Sequence, residues 1–221
     1  MLGKRRSDPE QNGFSQFIQR RRAQAEDDKP NREASHKTKN LSMGFYLCAP
    51  DTRKNSADGK GNGVQYGASS MQGWRLNMED AHISEATFTA NSSLFAVFDG
   101  HGGCEVAKFC GKYFGEELKK NPKFSKETDI KGALVDTFLK MDQMLLNPQH
   151  KSELMSMKNE PGDGESMAGC TANVVLIHKN VIYCANAGDS RCILWGSEKK
   201  VVELSTDHKP DLPTEKERIS K

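Results

Sequence analysis

Four acidic positions in this sequence stand at the edges of expected strands or turns: Glu79 and Asp80, Asp99, and Asp189. In Phe98–Asp99–Gly100–His101–Gly102–Gly103 an acid follows an apolar stretch, and the glycines let main-chain carbonyls approach whatever it binds. Ala187–Gly188–Asp189–Ser190–Arg191 repeats that logic. Carboxylates gathered without cysteine, with only one or two histidines near, suit a hard cation such as Mg²⁺ or Mn²⁺ better than Zn²⁺. Such an ion holds phosphoryl oxygens and lowers the pKa of a bound water, which is the chemistry of phosphate-ester hydrolysis. Arg75, four residues before Glu79, offers a planar fork for a phosphate. His101, two residues after Asp99, is a residue type that can give up a proton near neutral pH and could protonate a leaving oxygen. Taken singly, each Asp-Gly is more often a turn than a metal site, and a lone Arg or His is more often a surface or structural residue.

Elements that could position these groups follow from the periodicity. Short strands are expected at 64–69, 82–88 and 94–98; the last, Leu94–Phe95–Ala96–Val97–Phe98, is apolar on both faces and reads as a covered central strand. Val106, Phe109, Cys110, Tyr113, Phe114 and Leu118 recur at helical spacing. A second helix carries Ile130, Leu134, Phe138, Met141 and Leu145 and ends at Pro148. Residues 159–164 read as a loop, and strands return at 170–177, 181–187, 191–195 and 200–204. Thr214 with Glu217 forms a capping-box pattern that would start a helix at Glu215. The stretch Asp58–Gly59–Lys60–Gly61–Asn62–Gly63 reads as a hinge or turn.

Composition bounds the rest. With 221 residues and 35% hydrophobic content the chain can bury one sizeable core, beside a polar tail. Residues 1–42 hold ten Lys or Arg against six Asp or Glu, so the net charge of +2 belongs to that segment. It has few large apolar groups and is expected to be a disordered basic extension. No run is apolar enough to span a bilayer, and no signal-peptide core follows the N-terminus, so an intracellular protein of cytoplasm or nucleus is expected. The six cysteines include no C-x-x-C pair and read as small buried hydrophobes. The basic runs Lys4–Arg5–Arg6 and Arg20–Arg21–Arg22 lack interleaved aromatics, and no nucleic-acid partner is expected.

Read together, five ordered stretches resemble the metal-dependent protein phosphatases of type 2C: Tyr66 to His82, Phe95 to Gly103, Ala168 to Ala172, Ala187 to Arg191, and Asp207 to Ile219. The resemblance implies an α+β fold, a two-sheet antiparallel β-sandwich flanked by helices in four layers, over residues 43–221. It implies hydrolysis of phosphoserine and phosphothreonine in proteins, with Mg²⁺ or Mn²⁺ in a two-ion centre, phosphoproteins as partners, and a monomer when complete. Glu79, Asp99 and the Gly100 carbonyl would ligate metal, Asp80 would hold a metal-bound water, and Asp189 would serve an additional, weaker ion position. Arg75 would bind the substrate phosphate and His101 would act as general acid.

The resemblance also implies a later Asp-Gly motif, a late Asp-Asn motif and further strands that residues 1–221 do not contain. The domain is therefore expected to be incomplete at its C-terminus, with exposed sheet edges that aggregate or need a partner. The competing expectation is a catalytically impaired module that binds phosphoproteins through the Arg75 surface. Were Met43 the true start, Gly44 would invite myristoylation and membrane association, although Cys48 occupies the usual Ser/Thr position.

Overall fold

The computed structural model describes residues 46–159, 166–196 and 200–220. The basic extension 1–42, the Met43–Gly44 start and most of the 159–164 loop lie outside the described residues.

The chain opens with a long antiparallel hairpin, β1 (Tyr46–Gly61) and β2 (Val64–Arg75). Asn62 and Gly63 form its two-residue turn with φ of 47° and 74°, the left-handed pair whose twist matches a two-residue hairpin. The expected hinge at 58–63 is thereby corrected: its last two residues are the turn, and Asp58 to Gly61 are strand. Polar and glycine side chains fill both faces of that strand end, so no alternation announced it. The Asn62 amide donates to the carbonyls of Thr89 and Ser92, at 2.8 and 2.9 Å, and ties the hairpin tip to the next turn.

A four-stranded antiparallel sheet follows, in the order β3 (Ala81–Thr89), β4 (Ser92–Phe98), β7 (Ala172–His178), β8 (Val181–Ala187). The apolar run 94–98 is central, as its composition requires. Between β4 and β7 lie β5 (Gly100–His101) and β6 (Gly169–Cys170), which pair only with each other. The helices α1 (Glu105–Lys120), α2 (Pro122–Ser125), α3 (Ile130–Leu146) and α4 (Lys151–Ser156) also fall there.

One sheet face packs on the helices. Leu94, Ala96 and Phe98 from β4 and Val174 and Leu176 from β7 join Phe109, Phe114 and Leu118 from α1 and Ala133, Leu134 and Phe138 from α3 in a single core. The rings of Phe98 and Phe114 lie 6.0 Å apart, and Phe114 meets Phe138 edge-on at 5.3 Å. Asp129 caps α3 by accepting from the Gly132 amide at 2.9 Å. On the opposite sheet face the hairpin packs beside β3, with Tyr66 5.6 Å from Phe95 between ring centroids, while Val97 on the same face stays exposed.

The α+β antiparallel architecture is as expected, and three of its layers are seen among the described residues: helices, sheet and hairpin. Strand β8 forms one edge of the four-stranded sheet, with Val181 and Ile182 exposed. A small separate hairpin, β9 (Ile193–Trp195) and β10 (Val201–Glu203), exposes every residue of both strands. The last helix, α5 (Pro213–Ile219), starts earlier than Thr214 suggested. Pro213 occupies its first turn and Leu212 its cap, so Thr214 lies inside the helix and caps nothing. Among the described residues no helix is long and apolar enough to cross a membrane.

Candidate active site

The register of β3 against β4 brings the first acids together. Ala81 pairs with Phe98, so Asp80 and Asp99, one step outward on each strand, face each other across the ladder end. The result is crowding of negative charge. Burial first, then the Asp99 charge, a hydrogen bond with Asp99 and the charge of Glu79 push the Asp80 carboxyl above its ordinary value; Arg75 pulls it down. Arg75, Glu79 and Asp99 therefore all act electrostatically on Asp80, although 24 positions separate Arg75 from Asp99.

Local structure explains how each is presented. Arg75 ends β2 and is exposed; the Gln72 amide donates to the carbonyls of Arg75 and Leu76, both at 2.9 Å, which fixes the bend that follows. Gly100 lies so close to the Glu79 main chain that a Cβ there would sit 2.3 Å from the Glu79 carbonyl oxygen. Only glycine lets the two backbones approach. His101 is exposed, pairs with Gly169 in the short ladder, and lays its ring over that glycine.

Thr171 is the residue that sequence reasoning missed. Its amide donates to the Asp99 carbonyl at 2.8 Å, and its hydroxyl oxygen accepts from the Asp99 amide at 3.2 Å. The same hydroxyl lies 2.6 Å from that of Ser190. Thr171 thus joins the Asp99 turn to the Asp189 turn. Gly188, at φ 105°, packs on the Thr171 side chain, where a Cβ would come within 2.7 Å. The Gly188 carbonyl accepts from the His208 amide at 2.9 Å. Arg191 forks onto Asp207 at 2.9 and 2.7 Å, and with Lys209 it holds the Asp207 carboxyl well below the usual carboxylate range. Thr171 lies inside a motif that the sequence displayed, yet its contact with Asp99 spans 72 positions and has no periodic signal.

The predicted site residues thus divide. Arg75, Glu79, Asp80, Asp99 and Gly100 converge, with His101 on the adjoining strand. Asp189 is exposed and is joined to them through the Thr171–Ser190 frame. Among the described residues no group of three or more His, Cys, Asp or Glu side chains closes as a ready-made ion cage. The donor set nevertheless fits a hard cation, because burial and the repulsion of Asp99 and Glu79 together raise Asp80, and a divalent ion would relieve that repulsion.

That repulsion has a measurable consequence for stability. A carboxyl whose folded pKa exceeds its unfolded value contributes stability when protonated, and the contribution disappears as pH rises through the raised value. In chelator, Asp80→Asn should therefore raise the thermal midpoint at pH 7 and flatten the fall in stability above the ordinary carboxylate range. Calorimetry across pH checks this; an unchanged slope would show that Asp80 is not under repulsion.

Known proteins resemble the chain over most of its length. The family description "Protein phosphatase 2C" matches residues 64–221. The chain is 51% identical over 180 residues to "Probable protein phosphatase 2C 4" of Paramecium tetraurelia, an alignment covering 81% of this chain and 58% of that one. It is 44% identical over 182 residues to "Protein phosphatase 2C homolog 3" of Schizosaccharomyces pombe, covering 80% and 41%. It is 37% identical to "Probable protein phosphatase 2C 21" of Arabidopsis thaliana, covering 81% and 59%. The chain therefore spans less than two thirds of the length of these relatives. Among solved structures, "Structure of a C.elegans sex determining protein" superposes with a TM-score of 0.51 at 19% identity, covering 76% of this chain and 38% of that one, which is a likeness of fold. With a family match over most of its length and half-identical relatives, the chain belongs to the protein phosphatase 2C family.

Proposed function

We propose that the protein removes phosphate from phosphoserine and phosphothreonine in proteins, dependent on Mg²⁺ or Mn²⁺ held at Glu79, Asp99 and the Gly100 carbonyl, with Asp80 beside them. The observation that carries this reading is the Asp80–Asp99 juxtaposition next to Arg75. A divalent ion there would supply a nucleophilic water at neutral pH and neutralise charge developing on the phosphoryl group. Asp80, its proton affinity raised by burial and then by its carboxylate neighbours, is suited to accept a proton from a water it orients. Arg75, exposed at the end of β2, is free to grip phosphate oxygens in a bidentate manner. His101, on the adjoining strand β5, would hand a proton to the departing seryl or threonyl oxygen. Asp189 is assigned to a further, weaker ion position. All six cysteines are free, a state that a reducing intracellular compartment maintains; Cys48 is exposed, contrary to its reading as a buried hydrophobe, while Cys104, Cys110 and Cys170 fit that reading.

Phosphate release from a phosphothreonine peptide, measured with Mn²⁺ and again after chelation, tests the proposal. Release should require the ion, and Arg75→Ala should raise KM by about 10-fold or more, the scale of a lost charge-assisted hydrogen bond. Peptide binding without release, unaffected by Mn²⁺, would overturn hydrolysis in favour of a phosphoprotein-binding module.

A further inference from the structure

Two buried thiols lie behind the ladder that carries the site. Cys110, on the inner face of α1, and Cys170, on β6, bring their sulfurs to 3.9 Å although 60 positions separate them. They are 5% and 9% exposed. Cys170 pairs with Gly100, and the residue after it is Thr171, which bonds both main-chain groups of Asp99. We propose that Cys110 and Cys170 are a site of oxidative modification, closing to a disulfide that pins β6 to α1.

Closure needs the sulfurs to approach by about 1.9 Å, from contact to a bond of about 2.05 Å. Strand β6 is the side able to move, since two residue pairs are its whole ladder and such short elements open at low cost. Helix α1, fixed in the core through Phe109, Phe114 and Leu118, is the stationary partner. With hydrogen peroxide as oxidant the chemistry balances. One thiolate attacks a peroxide oxygen, the S–O bond forms, the O–O bond breaks, and hydroxide leaves and takes up a proton. The second sulfur then attacks the sulfenic sulfur, the S–S bond forms, and the hydroxyl departs with the second thiol's proton as water. Two thiols and one peroxide give one disulfide and two waters; the sulfurs lose the two electrons that the peroxide gains. The bond is an opportunistic one, reversed by a dithiol reductant.

The test does not depend on the phosphatase reading, because its readout is covalent. The chain is treated with hydrogen peroxide, blocked with iodoacetamide, digested without reductant and examined by mass spectrometry. A linked peptide pair carrying Cys110 and Cys170, two hydrogens lighter than the sum, is expected in most molecules and should vanish with dithiothreitol. It should form more slowly than peroxide consumes the exposed thiol of Cys48. Cys170→Ser should remove the linked pair, and Cys110→Ala provides the second variant should the first fail to fold. Recovery of Cys110 and Cys170 as separately blocked or over-oxidised residues once Cys48 is spent would overturn the proposal. So would a product in which Cys184 and Cys192 are the only linked pair.

Discussion

Asp99→Asn should reduce Mn²⁺-dependent phosphate release by about 100-fold or more, the scale seen when one preorganised charge-stabilising group is removed from an active site. The substitution keeps the shape of the side chain and removes only its charge and its capacity to bind a cation. It leaves the fold in place, because Asp99 is exposed and its structural bonds to Thr171 are made by its main-chain amide and carbonyl. Mn²⁺ affinity, measured directly by calorimetry, should fall together with turnover. A third readout separates this role from a packing effect. Asp99 contributes both a charge and a hydrogen bond to the raised pKa of Asp80, so the Asp80 carboxyl should move back toward its ordinary value in the variant. Turnover that survived both the substitution and chelation would refute metal-assisted hydrolysis at this site.

The second large effect is on stability. Phe98 is completely buried, directly precedes Asp99, and seats its ring against Phe114 beneath the end of β4. Phe98→Ala should cost about 3–5 kcal/mol, combining lost apolar transfer with the cavity left in a core that cannot fully collapse. A cavity at this position also frees the strand end that holds Asp99 opposite Asp80. Urea unfolding should therefore show a lower midpoint with little change in slope, and Mn²⁺ affinity should drop although no ligand has been altered. A loss below about 1 kcal/mol would mean that the helices close over the gap, contrary to the packing of Phe114 between Phe98 and Phe138.

The hairpin and the small ladder illustrate different limits of reading a chain by pattern. Strand β1 continues through Ser56–Ala57–Asp58–Gly59–Lys60–Gly61, whose residues carry almost no apolar side chains. Its pairing with β2 is sustained by main-chain bonds and by contacts such as Ser56 with Ser69 at 2.8 Å, which leave no hydrophobic period. The helix Lys151–Ser156 is similarly silent. It docks on α1 through the Glu153 carboxylate, which accepts from Tyr113 at 2.7 Å and pairs with Lys112, contacts made across 40 or more positions. By contrast α1 and α3 were visible as 3.6-residue periods, because each buries one continuous apolar stripe.

What the amino-acid sequence determined by itself was the family and the main elements. Acids at strand ends, an adjacent arginine and histidine, and five ordered motifs are local facts, legible wherever the chain folds. The central β4 strand and the two long helices are local as well, since periodicity reports which face is buried. Tertiary structure alone decided which of the acids meet. The Ala81–Phe98 register set Asp80 against Asp99, and Gly100 admitted the Glu79 backbone. Thr171 linked the Asp99 turn to Ser190, the neighbour of Asp189. Register and long-range hydrogen bonds join residues far apart in the chain, and no pattern of neighbours encodes them.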